Sequence, residues 1–190
     1  MTGDIDDPAA ALAAPLAVSI RLEAPGDEPG VRDVELAAFG GPEEAEIVDR
    51  IRAEAPAGWL SLVAADAAGD IVGHLLLSPC PVEDDAGAVR TTVLAIGPVA
   101  VRPSAQRRGV GAALMYAAMS LAMARGAPAL VLLGHADYYP RFGFEPARPL
   151  GIEPEVATWP DEAWMALRLA DWTPELRGVA HFPPAFGEAS

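Results

Sequence analysis

Arg102-Pro103-Ser104-Ala105-Gln106-Arg107-Arg108-Gly109-Val110-Gly111 carries the chain from the end of an apolar strand into a long helix. The segment sits inside a stretch, bounded by Asp85 and Asp137, that holds no Asp or Glu although the chain has 27 acidic residues. Five arginines (Arg90, Arg102, Arg107, Arg108 and Arg125) fall within it, so a basic region is embedded in a protein of net charge −14. Glycines at a helix start leave backbone N–H groups accessible, and those groups together with the helix dipole favour an anion. A phosphate-bearing ligand is the group that suits such a place.

The flanking sequence reads as alternating strands and helices. Thr91–Val101 (TTVLAIGPVAV) is a long apolar strand with Gly97-Pro98 in its middle. Proline cannot donate to a ladder, which predicts a bulge there or a splaying of the neighbouring strands. Over 107–125, Val110, Leu114, Ala117, Ala118, Leu121 and Ala122 recur at helical spacing, and Gly126 ends the helix. Ala129–Leu133 reads as a short buried strand, Asp137–Phe142 as a short helix, and Phe144 as the start of another strand. Upstream, Trp59–Ala65 and Ile71–Leu77 are apolar runs joined by Ala67-Ala68-Gly69-Asp70, the signature of an antiparallel hairpin. Residues 79–88 read as a loop. Residues 29–54 read as two helices broken at Gly40-Gly41-Pro42, with Glu43 and Glu44 early in the second and Arg50 and Arg52 late, the order a helix dipole prefers. Val18–Glu23 is a first strand, Trp164–Leu169 a last one, and a Pro-rich tail follows. The element order gives an α/β domain with a mixed sheet. It is expected as a flexible leader over residues 1–16 and a single domain over 17–190, with a C-terminal extension from about 170.

Composition removes several function classes. A chain of 190 residues that is 52% apolar is long enough to bury one sizeable core and is not disordered. Its negative charge disfavours nucleic acid and anionic membranes as partners and tolerates a cationic substrate such as an amine. All 13 basic residues are arginine, so Walker, Schiff-base and pyridoxal-phosphate lysines are excluded. Cys80 is the only cysteine, which leaves no intrachain disulfide and no cysteine zinc site, and His74, His135 and His181 have no metal-ligand spacing. The acidic, Pro-interrupted N-terminal residues are unlike a signal peptide, and no apolar run is long enough to span a bilayer, so a cytoplasmic location is expected.

The glycines at 109 and 111 do not belong to a Walker loop, nor to a GxGxxG fingerprint, whose third glycine would fall at Leu114. What remains is Q-x-x-G-x-G at Gln106–Gly111, following a strand that ends V-A-V-x-P. This closely resembles the acyl-CoA signature of the GNAT superfamily of N-acetyltransferases. Tyr138-Tyr139-Pro140-Arg141-Phe142-Gly143-Phe144 resembles that family's F/Y-Y-x-x-x-G-F segment. The two motifs stand in the family's order, one helix and one strand apart. The resemblance covers residues 18–146, and the ending with WMALRL is similar to a bacterial subgroup of predicted acetyltransferases.

The resemblance implies the GNAT fold, a mixed and mostly antiparallel sheet flanked by helices, and acetyl-CoA as co-substrate with no metal. It implies that Val99, Ala100 and Val101 pair their backbone with the pantetheine arm where the sheet splays. Gln106 belongs to the same signature. The N–H groups of Arg107, Arg108, Gly109, Val110, Gly111 and Ala112 would cradle the pyrophosphate, and Arg102, Arg107 or Arg108 would reach the adenosine phosphate. The competing reading of Gly109 and Gly111 is that they merely permit tight helix–sheet packing. Tyr139 matches the family's general acid, Tyr138 its buried partner, and the Val99 N–H is the natural group to polarise the thioester carbonyl.

The chemistry implied is direct attack of an amine on acetyl-CoA in a ternary complex. The acceptor would be a small-molecule amine or a protein N-terminus. The general base stays unassigned among Glu83, Asp84 and Asp85 in the loop before the CoA-binding strand, Glu35, Glu43, Glu44 and Glu46 on the early helices, and a water relay. His135 departs from the small polar residue common before the short helix and reads as structural, His74 as a core histidine, and His181 as a surface one. Cys80 would accept an acyl group only in a ping-pong scheme, which this family rarely uses. A homodimer through exposed C-terminal strands is consistent with the family. The alternative to an enzyme is a GNAT-fold module that binds CoA thioesters without turnover, as a sensor or an assembly part; intact Tyr139 favours the enzyme, and the missing obvious base keeps the module open.

Overall fold

A computed structural model describes residues 15–187 of the chain. In chain order its elements are β1 (Ser19–Leu22), α1 (Glu28–Phe39), α2 (Glu43–Glu54), β2 (Leu60–Ala65), β3 (Ile71–Glu83), β4 (Val89–Val101), α3 (Val110–Ala124), β5 (Ala129–Leu133), β6 (Glu145–Pro146), β7 (Ile152–Pro154), β8 (Trp164–Arg168) and β9 (Gly178–Ala180). The main path of the sheet runs β1-β2-β3-β4-β5-β8-β6, and β9 joins the far half of β3 while pairing β7 on its other side. All pairings are antiparallel except β4 with β5 and β7 with β9. The fold is the expected GNAT fold, a mixed, mostly antiparallel sheet between helices.

Strand alternation sorts the apolar residues to two faces. Leu62 and Ala64 of β2, Leu75 and Leu77 of β3, and Leu130 and Leu132 of β5 pack against Val110, Leu114, Met115, Ala118 and Ala122 of α3. On the opposite face Val63, Ala65, Ile71 and Ala100 meet Val31 and Val34 of α1 and Val48 of α2. Farther along that second face, Trp164 is fully buried and its indole N–H donates to the Ile152 carbonyl at 2.9 Å.

The Gly97-Pro98 irregularity is present where the sequence places it. Leu77 lies opposite Ile96 but Leu75 lies opposite Val99, so β4 contains one residue more than its partner over this interval. The extra residue reverses the alternation. Leu94 and Ile96 pack in the α3-side core before it, whereas Val99 and Val101 take up that face after it and Ala100 turns to the α1/α2 side. The predicted splaying is also seen, because β4 pairs with β5 only at Leu94–Leu130 and Ala95–Val131.

Three expectations are corrected. Residues 79–88 are not a loop: β3 runs on to Glu83 and β4 begins at Val89, leaving a tight turn in which Asp84 accepts from the N–H groups of Ala86 and Ala88. Cys80 and Val82 alternate into the core there. The Pro81 carbonyl accepts from the His181 N–H, so the position of its missing N–H faces away from β4 and costs no bond of the β3/β4 ladder. The tail beyond Trp164–Arg168 adds β9 and, from the segment before it, β7, three-residue strands too short to stand out as a period. The short helix at Asp137–Phe142 is a 3₁₀ turn over Tyr139–Phe142. Of the expected leader, residues 1–14 lie outside the described residues, and the Leu16 N–H donates to the Arg108 carbonyl at 3.0 Å. Among the described residues no helix is long and apolar enough to cross a membrane.

Candidate active site

The fork between β4 and β5 opens into two cavities. One, of about 410 Å³, lies between the open edge of β4 and the start of α3, with Val99, Val101, Gln106, Arg107 and Gly111 on one side and Tyr138 and Tyr139 on the other. The second, of about 420 Å³, lies between α1/α2 and the C-terminal segment. Phe39, Val99, His135 and Tyr139 line both, so the cavities meet across these four residues.

Beyond Ala95 the β4 edge at the fork has no partner strand. The Arg102 N–H donates to the Val72 carbonyl on β3. By alternation the peptide groups of Ala100 also face β3, and those of Val99 and Val101 face the fork, where no strand pairs with them. Ala100 is thus the exception among the expected backbone contacts, since its side chain is buried on the opposite face and its peptide groups are turned to His74. Gln106 holds the turn itself, donating from Nε2 to the Val101 carbonyl at 3.0 Å.

At the helix start Gly109 adopts φ +89° as the N-terminal cap, and a Cβ built on it would touch nothing within 4 Å. Its glycine is needed for backbone conformation beside open space, so the packing explanation fails at this position. A Cβ on Gly111 would lie 3.0 Å from the Tyr138 hydroxyl, so this glycine makes room on the cavity wall. No side chain caps the helix, which leaves the first-turn N–H groups of Val110, Gly111 and Ala112 for a ligand. Val110 itself is buried in the core below. Arg107 is exposed on the cavity wall, whereas Arg102 turns back towards the Ile71 carbonyl at 3.4 Å.

Tyr139 is half-buried at the junction. Its ring lies over Gly134, where an added Cβ would sit 2.2 Å from Cε2, and meets Tyr138 edge-on at 5.1 Å. Burial, reinforced by the neighbouring Tyr138, pushes the Tyr139 phenol up to about 12. A group with that value holds its proton at neutral pH, as a donor must, while the same burial makes it a weaker acid than a free phenol. Tyr138 lines only the helix-side cavity and lies under the Arg141 guanidinium, 4.6 Å from its ring centre.

The sequence model of the acetyltransferase (GNAT) family matches residues 29–144, which span both motifs. The chain belongs to the GNAT family of acetyltransferases. Among its relatives is the uncharacterised N-acetyltransferase YhbS of Escherichia coli K12, 31% identical over 80% of this chain and 87% of that one. Another is the uncharacterised N-acetyltransferase YjhQ of the same strain, 34% identical over 63% of this chain. That match spans 65% of YjhQ, just under two thirds of its length. The crystal structure of E. coli YhbS in complex with CoA superposes with a TM-score of 0.82 over 98% of both chains at 27% identity. A GNAT acetyltransferase from Brucella melitensis in complex with acetyl-CoA gives 0.72 over 90% of this chain and 98% of that one, at 31% identity.

Within this GNAT domain the carboxylates sort themselves by location. Asp84 closes the far β3/β4 turn and is held below its ordinary value by the N–H of Ala88 and by Arg90, and Glu83 lies 3.7 Å from His181 at that same end. Neither lines a cavity of the fork, and nor does Asp85. Glu43 and Glu46 are exposed outside it. Glu35 is fully buried, its carboxyl raised by that burial, with Oε1 2.5 Å from His74 Nδ1. Only Glu44 of the early-helix acids lines the second cavity, and it has no ion-pair partner among the described residues.

Sequence reasoning missed three contributors. His135, read as structural, is exposed and lines both cavities. Gly134 creates the seat of Tyr139, and Glu155 reaches the second cavity from just beyond β7; neither belongs to a motif. Cys80 is buried beside Glu155, and burial followed by that charge pushes its thiol up to about 12, which makes it an inert thiol. Among the described residues no cluster of His, Cys, Asp or Glu has the arrangement to hold a metal ion.

Proposed function

We propose that this protein transfers the acetyl group of acetyl-CoA to a primary amine by direct attack in a ternary complex. The observation that carries this reading is the meeting of the two cavities at Val99 and Tyr139. It lets a thioester enter from the α3 side and an amine from the α2 side, and reach one point. The pyrophosphate rests on the N–H groups at the start of α3, Arg107 faces the phosphates, and the pantetheine arm extends β4 through the peptide groups of Val99 and Val101.

The ammonium form of the acceptor is drawn to Glu44, which takes its proton and passes it to water. The free amine attacks the thioester carbon, and the developing oxyanion accepts from the Val99 N–H. As the C–N bond forms and the C–S bond breaks, the nitrogen loses a second proton to solvent and the CoA thiolate takes the Tyr139 phenol proton. Tyr139 is then reprotonated from water. The products are the acetamide, CoA and one net proton.

Replacing Tyr139 with Phe tests the assignment. General acid catalysis contributes roughly 10²–10⁴-fold, so thiol release should fall by that order while calorimetric affinity for acetyl-CoA is retained. Unchanged turnover would remove Tyr139 from the mechanism, and no affinity of the wild-type protein for acetyl-CoA would end the reading altogether.

A further inference from the structure

We infer that the acceptor is an arylalkylamine, a single primary ammonium group on a short linker from a flat aromatic ring. The inference rests on the transferase reading above and goes beyond it in naming what the second cavity selects. The charge in that cavity is of one sign apart from His135. Glu44 and Glu155 line it, and none of the 13 arginines does. Glu44 has no ion-pair partner among the described residues, and Glu155 lies 3.6 Å from the His181 ring, which also faces Glu83 at 3.7 Å. Glu44 is the carboxylate of this cavity left open to an ammonium group, which the acceptor brings.

The remaining wall is aromatic. Phe182 meets Trp159 at 5.7 Å and 78° and Phe186 at 5.1 Å and 70°, so three rings make an edge-to-face surface from the C-terminal segment. Phe39 faces the same space from α1. The wall is anchored, because the Arg50 guanidinium on α2 donates from Nε to the Ala185 carbonyl at 2.8 Å. Rings in this arrangement accept another ring at low cost and attract a cation to their faces. A polyamine would set its further ammonium groups against a wall that is mostly apolar and aromatic. An amino sugar or a peptide would bury several hydroxyls or backbone amides against rings of which only the Trp159 indole offers a donor. The volume of about 420 Å³ falls in the range of small-molecule sites, roughly 300–1,000 Å³.

The test is a steady-state thiol-release assay with saturating acetyl-CoA and 2-phenylethylamine, tryptamine, spermidine, glucosamine or a short unblocked peptide as acceptor. In parallel, 2-phenylethylamine is titrated calorimetrically into the CoA-saturated protein. The expected result is kcat/KM at least tenfold higher for the two aryl amines than for any other acceptor. Phe186→Ala should raise their KM about tenfold or more by removing part of the wall, with acetyl-CoA affinity unchanged. Glu44→Gln should weaken calorimetric binding of 2-phenylethylamine. Faster turnover of spermidine, glucosamine or the peptide would overturn the inference and leave the transferase reading standing. Binding of 2-phenylethylamine without turnover of any amine would overturn the transferase reading and the acceptor assignment with it, leaving a cavity that only binds aryl amines. Acetyl-CoA binding with neither binding nor turnover of the aryl amines would overturn the inference.

Discussion

Gly134→Ala should slow acetyl transfer although residue 134 touches no reacting atom. A methyl group there would lie 2.2 Å from Tyr139 Cε2, 2.9 Å from Cδ2 and 3.1 Å from Cζ. Carbon atoms settle at roughly 3.5–4.0 Å, so the phenol ring must retreat by more than about 1 Å. Tyr138 at 5.1 Å and Phe144 at 6.0 Å limit where it can go. Gly134 is not among the residues with positive φ, so alanine adds no backbone strain, and its N–H keeps its bond to the Ala163 carbonyl at 2.9 Å. The displaced ring is therefore the main consequence. A misplacement of that size costs on the order of 10²-fold in rate, while overpacking lowers stability by roughly 1–3 kcal/mol. The assay pairs kcat for thiol release with calorimetric acetyl-CoA affinity and a melting curve. The expected pattern is kcat down about 100-fold, affinity retained, and a melting temperature lower by only several degrees. The double variant Gly134→Ala/Tyr139→Phe gives the sharper reading, because two changes acting through one hydroxyl are not additive. It should be no slower than Tyr139→Phe alone, and multiplicative losses would refute the claim that Gly134 acts through the phenol.

Arg107→Ala should weaken acetyl-CoA binding about tenfold at low salt and less as ionic strength rises, measured by calorimetry; no change would remove Arg107 from the phosphate site. Because burial raises the Tyr139 phenol to about 12, the proton-donating form is fully present below its unfolded value near 10 and is lost only as pH climbs through the folded one. The kcat profile should therefore show no falling limb up to about pH 10, and a descent centred near pH 10 would contradict the buried phenol. Cys80, buried and with its thiol pushed up to about 12, should resist alkylation in the native protein and react on unfolding; fast native labelling would show that this part of the sheet opens. His74→Leu leaves Glu35 buried without its partner and should cost about 3–5 kcal/mol, with the double variant His74→Leu/Glu35→Leu recovering most of it in urea melts.

The parts of this protein legible in its sequence are those set by short-range rules. The Gly97-Pro98 step announces a bulge because proline removes a donor, and the observed extra residue in β4 and the short β4/β5 pairing follow from it. The Gly40-Gly41-Pro42 break separates α1 from α2 where expected, with Gly40 at φ +79° closing the first helix. Tyr139 and the start of α3 were found through motifs, which are local by nature. The wall of the second cavity was not legible, because Glu44, Glu155, Trp159 and Phe182 converge from separate segments and no spacing links them. The continuation of β3 through Pro79 and Pro81 was hidden for a related reason. Proline argues against a strand only if its missing N–H faces a partner strand, and the facing is a tertiary fact.

His74 shows how a residue read correctly as a core histidine carries more than that reading conveys. Glu23 accepts from the Arg52 guanidinium at 2.7 Å. The Ser61 hydroxyl donates to Glu23 and must therefore accept from His74 Nε2–H, 2.9 Å away. With Nε2 protonated, the 2.5 Å contact between Nδ1 and Glu35 Oε1 requires one further proton, held by either partner. The buried His74–Glu35 pair thus carries no net charge, while burial still raises the Glu35 carboxyl and leaves its Oε2 without a hydrogen-bond partner. The chain of contacts continues from Arg52 to Asp49 and on to Arg32, and so returns to α1, where it began at Glu35. It ties β1's exit, β2 and β3 to both early helices through polar groups whose directions are fixed. These are the helices that present Phe39 and Glu44 to the second cavity, so the hydrogen-bonded ring holds the wall that the proposed amine would face.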